Sequence, residues 1–175
     1  QVLFEKFYMT SYPIMKELLE EIYDEVKSGN EINSVILRCN KLNEYPIRNI
    51  DHTELWCTEN KVRNKYLVSN LNPITAAIYV STMMAQVDIL IKNNHNFSEI
   101  VNETIIEAID SLNPYLDEKG ISHMVDNCST TARIGTRKWG SRFDYATQDI
   151  LNSKTNTYDN LEFNANFIQH PIHEI

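Results

Sequence analysis

The chain has 175 residues, 42% hydrophobic and 23% charged, with only 4 Gly and 5 Pro, which suits one folded domain with a substantial core and excludes a disordered or linker-rich architecture. Sixteen Lys and Arg against 24 Asp and Glu leave a net charge of -8, so the basic footprint of a nucleic-acid or anionic-membrane binder is missing. Cys39, Cys57 and Cys128 are odd in number, widely spaced and without a CxxC pair, and read as free thiols rather than a disulfide framework or a zinc site.

Ser11-Tyr12-Pro13 predicts a helix start, because Pro is tolerated in a first turn, and Ser28-Gly29 predicts its stop. Between them Ile14, Leu18, Ile22 and Val26 recur every four residues, while Glu17, Glu20, Glu21, Asp24 and Glu25 cover the other side. A shorter helical pattern spans Glu31 to Leu42. The stretch from Asn43 to Asn72 lacks sustained periodicity, and a connection of that length is expected to be held down by large side chains such as Trp56 and Tyr66.

Asn72-Pro73 is a strong helix start, and Ile74 to Asn93 reads as a helix apolar nearly all round. Its small residues Ala76, Ala77, Ser81 and Ala85 permit close approach of neighbours, so a central position or a subunit interface is expected. No residue between Lys65 and Asp88 is charged, but the helical part of that run reads as too short for a bilayer span, and no membrane role is expected. Ser98 is expected to cap a helix to Leu112, ended by Asn113-Pro114. Further helices are predicted from Tyr115 to Asp126 and from Ser129 to Leu151, and polarity rises after Asn152. With no sustained strand alternation and no internal repeat, the fold class is all-α and the whole chain reads as one helical domain.

Chemistry concentrates in two places. On the helix ending at Leu112, Glu99, Glu103, Glu107 and Asp110 fall at spacings of four, four and three with no Lys or Arg on the same helix, so like charges repel by about 0.2–0.5 kcal/mol per pair. The stripe is either a solvated acidic face or part of the oxygen shell of a Mg²⁺ ion, which needs only one or two carboxylates from any one element. Nineteen residues after Glu107, the run from Asp126 to Arg133 offers small polar groups at a helix N-terminus, where Ser129 is either a plain cap or a contact for a substrate carboxylate. Arg133, Arg137, Lys138 and Arg142 form the densest basic cluster and are expected to pair with the acidic helix. Neither GxGxxG nor GxxxxGK[ST] occurs, so no nucleotide site is expected within these residues. His52, His95 and His123 stand singly, and His170 and His173 lie where the chain is expected to fray.

The run FSEIVNETIIEAIDSLNP (97–114) resembles the C-terminal helical domain of plant-type ketol-acid reductoisomerase, and SHMVDNCSTTARIGTRKWGSRFDY (122–145) is similar to its next segment almost residue for residue. Ser11 to Val26, Ile50-Asp51-His52-Thr53, Trp56, Lys61-Val62-Arg63 and Met83-Met84-Ala85-Gln86 extend the likeness upstream in unbroken order. The resemblance implies a Mg²⁺- and NADPH-dependent oxidoreductase and isomerase of branched-chain amino-acid biosynthesis, which shifts an alkyl group in 2-acetolactate or 2-aceto-2-hydroxybutyrate and reduces the product to a 2,3-dihydroxy acid. By position, Glu103 and Glu107 resemble metal ligands, with Glu107 also the catalytic carboxylate at the substrate hydroxyl. Ser129 resembles the residue that holds the substrate carboxylate, and Leu112 resembles part of the apolar substrate pocket.

The same resemblance implies a soluble plastid protein, a homodimer, and a fold knotted only when its upstream half is present. It also implies that the NADPH-binding domain and the remaining metal carboxylates lie upstream, so that the isolated chain is inactive. The competing expectation is a non-catalytic helical dimerisation module descended from that domain.

Overall fold

The computed structural model describes residues 1–28, 72–153 and 158–174. The expected helix over Glu31 to Leu42, the irregular segment up to residue 71, Cys39, Cys57, His52, Trp56 and Tyr66 lie outside the described residues. Every regular element described is helical, so the fold is all-α.

Helix α1 spans Val2–Lys27. It therefore begins well before the Ser11-Pro13 start expected from sequence, and Pro13 sits inside it. An interior Pro removes a backbone hydrogen bond and costs a helix about 3 kcal/mol. Burial of the preceding turns outweighs that, because Tyr8, Ser11 and Tyr12 are all buried. Ser11 does not cap; its hydroxyl donates to the Phe7 carbonyl at 2.6 Å. The C-terminal end agrees with expectation, with the Ser28 amide reaching Asp24 O at 2.9 Å and its hydroxyl Glu25 O at 2.8 Å.

Helix α2 spans Pro73–Lys92 and starts where predicted. Asn72 Oδ1 accepts from the amides of Ile74 at 2.9 Å and Thr75 at 3.2 Å, satisfying donors that a helix N-terminus otherwise leaves open. Its length corrects one expectation: at 20 residues it is long and apolar enough to cross a bilayer by length and composition. Within the protein, Ala77, Ser81, Met84, Ala85, Val87 and Ile89 of this helix are buried.

A short α3, Phe97–Ile100, follows and runs directly into a π-wound segment, Val101–Leu112. Asn96, extended and without a side-chain capping bond, precedes it, so Ser98 lies inside the first turn rather than capping it. Helix α4, Asn113–Lys119, has Pro114 in its first turn, and α5 is Ile121–Asp126. The sequence pattern suggested one helix over Tyr115 to Asp126. Gly120 divides it, holding φ at +84°, a conformation that side-chain-bearing residues resist. Helix α6, Thr130–Asn152, follows with Ser129 as its cap. The chain then carries α7, Asn160–Phe163, a π turn over Asn164–Ile168 and a 3₁₀ turn over Pro171–Glu174.

The chain falls into two compact units, one of Gln1–Glu21, Asn70–Ile105 and Arg142–Ile175, the other of Ile22–Ser69 and Ile106–Ser141. In the first, Tyr8 and Tyr12 cluster with Ala77, Met84, Ala85, Val87, Ile100, Phe163 and Ile172. Fully burying a large apolar side chain contributes about 1.5–3 kcal/mol. Tyr8 meets Phe163 edge-on at 5.4 Å between ring centroids and Phe167 at 5.2 Å. A second cluster joins Met15, Ala146 and Ile150.

Buried polar groups in this unit are answered by one another. Tyr12 Oη donates to Asp88, Lys16 Nζ donates to Tyr12 Oη at 3.1 Å, and Tyr8 Oη donates to Asn166 Oδ1 at 2.5 Å. His170 Nδ1 accepts the Ile172 amide at 3.1 Å, so the proton sits on Nε2, which donates to Asp88 Oδ1 at 2.9 Å. The expectation that His170 lies in a frayed end is therefore corrected, because Phe163 and Ile172 anchor this stretch in the core. In the second unit, α4 packs on α5, Trp139 Nε1 donates to Glu25 Oε2 at 3.1 Å, and Arg137 pairs with Asp126 at 3.2 Å.

Candidate functional site

The acidic stripe lies on the π-wound segment rather than on an α-helix. Each amide in such winding reaches back five residues instead of four, so side chains four and five apart become the stacked neighbours, and such winding concentrates at functional sites. Two local features accompany it. The Val101 amide is shared between Phe97 O and Ser98 O, and the buried Thr104 hydroxyl takes Ile100 O at 2.5 Å, competing with the backbone ladder. The winding keeps Glu103 beside Glu107, whereas Asp110, three residues further on, turns out of their line.

Glu103 and Glu107 are both exposed. Asn102 Nδ2 donates to Glu103 Oε1 at 3.1 Å, and no described Lys, Arg or His pairs with either carboxylate. Glu99, one step earlier, lies 3.6 Å from His95. Of the basic cluster expected to pair with the acidic helix, Arg137 engages Asp126 and Arg133 donates to Thr130 Oγ1 at 3.2 Å. Two exposed carboxylates on adjacent turns are hard oxygen donors of the kind Mg²⁺ takes, fewer than an octahedral shell needs. Among the described residues no group of three His, Cys, Asp or Glu side chains gathers to complete it.

Leu112 ends the π-wound segment, half-buried. Ser129 stands at the head of α6, where its Oγ accepts the Ala132 amide at 3.2 Å and its carbonyl accepts the Arg133 amide at 2.9 Å. The turn before it is internally bonded: Asn127 Nδ2 donates to His123 O at 2.7 Å, and Cys128 Sγ donates to Met124 O at 3.4 Å. Burial first, and then the Glu107 carboxylate, push the Cys128 thiol above its usual range, while Arg133 works against them. Glu107 and the turn leading into Ser129 therefore share one electrostatic environment. Cys128 is a free, half-buried thiol kept protonated, not an activated nucleophile.

Tyr115 belongs to no motif or spacing that singles it out in the sequence. It is 9% exposed, its ring meets His123 edge-on at 5.5 Å, and its hydroxyl is buried without a hydrogen-bond partner.

A model of the family described as "Ketol-acid reductoisomerase, C-terminal domain" matches residues 74–174, which include Glu103, Glu107, Leu112, Tyr115 and Ser129. The chain belongs to the ketol-acid reductoisomerase family. It is 43% identical over 182 aligned residues to the chloroplastic ketol-acid reductoisomerase of Spinacia oleracea, covering 98% of this chain and 31% of the relative. It is 41% identical to the chloroplastic enzyme of Pisum sativum, covering 97% of this chain and 31% of the relative. The mitochondrial ketol-acid reductoisomerase of Saccharomyces cerevisiae is 43% identical over a shorter stretch, 47% of this chain and 22% of that protein. The chain thus spans about a third of the length of the plant relatives it matches.

Proposed function

We propose that this chain is the C-terminal helical part of a ketol-acid reductoisomerase of the plant type, working in a plastid on 2-acetolactate and 2-aceto-2-hydroxybutyrate. The observation that carries the reading is identity of 41–43% to the two plant chloroplastic enzymes along nearly the whole chain. Glu103 and Glu107 act as Mg²⁺ ligands, and Glu107 also handles the proton of the substrate hydroxyl. Their exposure and their lack of described cationic partners leave both carboxylates available for this. Mg²⁺, when bound, supplies Lewis-acid polarisation of the substrate oxygens, and NADPH the hydride.

Ser129 orients the substrate carboxylate at the head of α6, where helix amides favour an anion, while Leu112 offers an apolar wall to the migrating alkyl group. The remaining metal carboxylates and the NADPH-binding domain belong to the portion of the relatives that this chain does not span, so the chain by itself does not turn over. The assembled enzyme is a homodimer. The knot implied by the family belongs to the same larger assembly.

The test is Glu107→Gln in the full-length enzyme, which keeps the shape and removes the charge. Mg²⁺-dependent turnover is expected to fall by about 10²-fold or more, the range for loss of a positioned general acid or base. Unchanged turnover would overturn the assignment.

A further inference from the structure

Tyr115 Oη is the one buried side-chain oxygen among the described residues that has no hydrogen-bond partner. Buried polar groups in folded proteins are almost always paired, and an orphan calls for an explanation such as a ligand that supplies the missing partner. The geometry around it is well defined. Tyr115 follows Pro114 in the first turn of α4, three residues after Leu112, and its ring is fixed edge-on against His123. His123 in turn gives its carbonyl to Asn127, and the next residues are Cys128, whose thiol is committed to Met124 O, and Ser129. The ring thus packs on His123 of α5, the helix that leads into Cys128 and Ser129.

We propose that the Tyr115 hydroxyl is a substrate-binding hydrogen-bond donor that, together with Ser129, holds the carboxylate of the bound 2-hydroxy-3-keto acid. This rests on the substrate-site reading of Ser129 given above. A phenol suits the role, since it can donate one hydrogen bond to a carboxylate oxygen without adding charge to the site. Burial, with Glu118 and Cys128 nearby, keeps that phenol protonated beyond its ordinary range, so the donor persists at every working pH. With no partner among the described residues, the hydroxyl gives up no hydrogen bond to them on meeting the ligand. A ligand oxygen replaces an orphaned contact by a satisfied one.

The experiment uses the full-length enzyme with Tyr115→Phe and Ser129→Ala, measuring thermal unfolding without ligand, the shift produced by saturating 2-acetolactate with Mg²⁺ and without NADPH, and steady-state KM and kcat. For Tyr115→Phe, the ligand-free melting temperature is expected to stay level or rise, the 2-acetolactate shift to shrink, and KM to rise about tenfold with kcat within about twofold. A ligand-free melting temperature lowered by several degrees would mean that the hydroxyl has an internal partner, and would overturn the inference. If Ser129→Ala raises KM while Tyr115→Phe leaves both KM and the ligand shift unchanged, the Tyr115 role is wrong and the Ser129 site stands. If neither substitution moves KM, the substrate-site reading fails and the Tyr115 role fails with it.

Discussion

Single residues in this chain carry two kinds of signal, chemical identity and environment. Glu103, Glu107 and Ser129 were legible as chemistry from type and spacing, but their competing readings as solvated face and plain cap rested on what surrounds them. Ser129 does cap α6, and capping and substrate contact can be separated by substitution. Asp is as good an N-cap as Ser, yet places a negative charge where a carboxylate would dock. Ser129→Asp in the full-length enzyme is therefore expected to leave the unfolding midpoint within about 0.5 kcal/mol of the parent, while KM for 2-acetolactate rises at least about tenfold. The tyrosines give a second test at this scale. Burial, with the charges of Tyr12 and Asp88, holds the Tyr8 phenol well above its ordinary value of 10.0, and burial with the Asp88 hydrogen bond raises Tyr12. A pKa raised in the folded state means that the unfolded chain loses its protons first as pH climbs. Stability from these groups is complete below about pH 10 and declines above it. Urea midpoints measured between about pH 9 and 11 are expected to fall, and Tyr8→Phe to flatten the decline.

At the scale of elements, the caps read at Asn72 and Ser129 hold, while those read at Ser11 and Ser98 fall inside helices. Asn72-Pro73 marks α2 because the capping bonds are local, made within three residues of the cap. Pro13 misled because an interior Pro is a local penalty, and the aromatic face of α1 gains more by burial than the missing bond costs. The π winding of Val101–Leu112 had no local signature in composition. Its effect is specific nonetheless, keeping Glu103 and Glu107 in line while releasing Asp110 from the stripe. Gly120 lies inside a stretch that the sequence pattern reads as one helix, where a lone Gly does not by itself mark a break. A Cβ there would meet nothing within 4 Å, so any cost of Gly120→Ala comes from the backbone alone. That substitution is expected to destabilise the second unit by about 1–3 kcal/mol, read as a lowered urea midpoint, with no change in the packing of Trp139 by fluorescence.

On the scale of the whole molecule, the C-terminal stretch is the largest departure from sequence expectation. Its polarity suggested fraying, yet Phe163 is 4% exposed among Phe4, Tyr8 and Phe167, and His170 is tied to Asp88 across a sequence distance of 82 residues. Phe163→Ala is expected to cost about 3–5 kcal/mol, visible as a large drop in melting temperature, where an exposed tail residue would cost almost nothing. Such anchoring is set by a few aromatic residues meeting partners far away in the chain, and no window of sequence contains both halves of the contact.

The sequence by itself determined the helical class, the caps of α2 and α6, the amphipathic stripe of α1 and the family, because periodicity, capping chemistry and an unbroken run of matching residues are all local or linear properties. Only the tertiary structure decided that α1 begins before its proline, that the acidic segment is π-wound, that the C-terminal stretch belongs to the core, and that the Tyr115 hydroxyl is buried without a partner. Each depends on which distant groups exclude water from a given atom, and burial is a property of the folded chain in three dimensions rather than of the order of its residues.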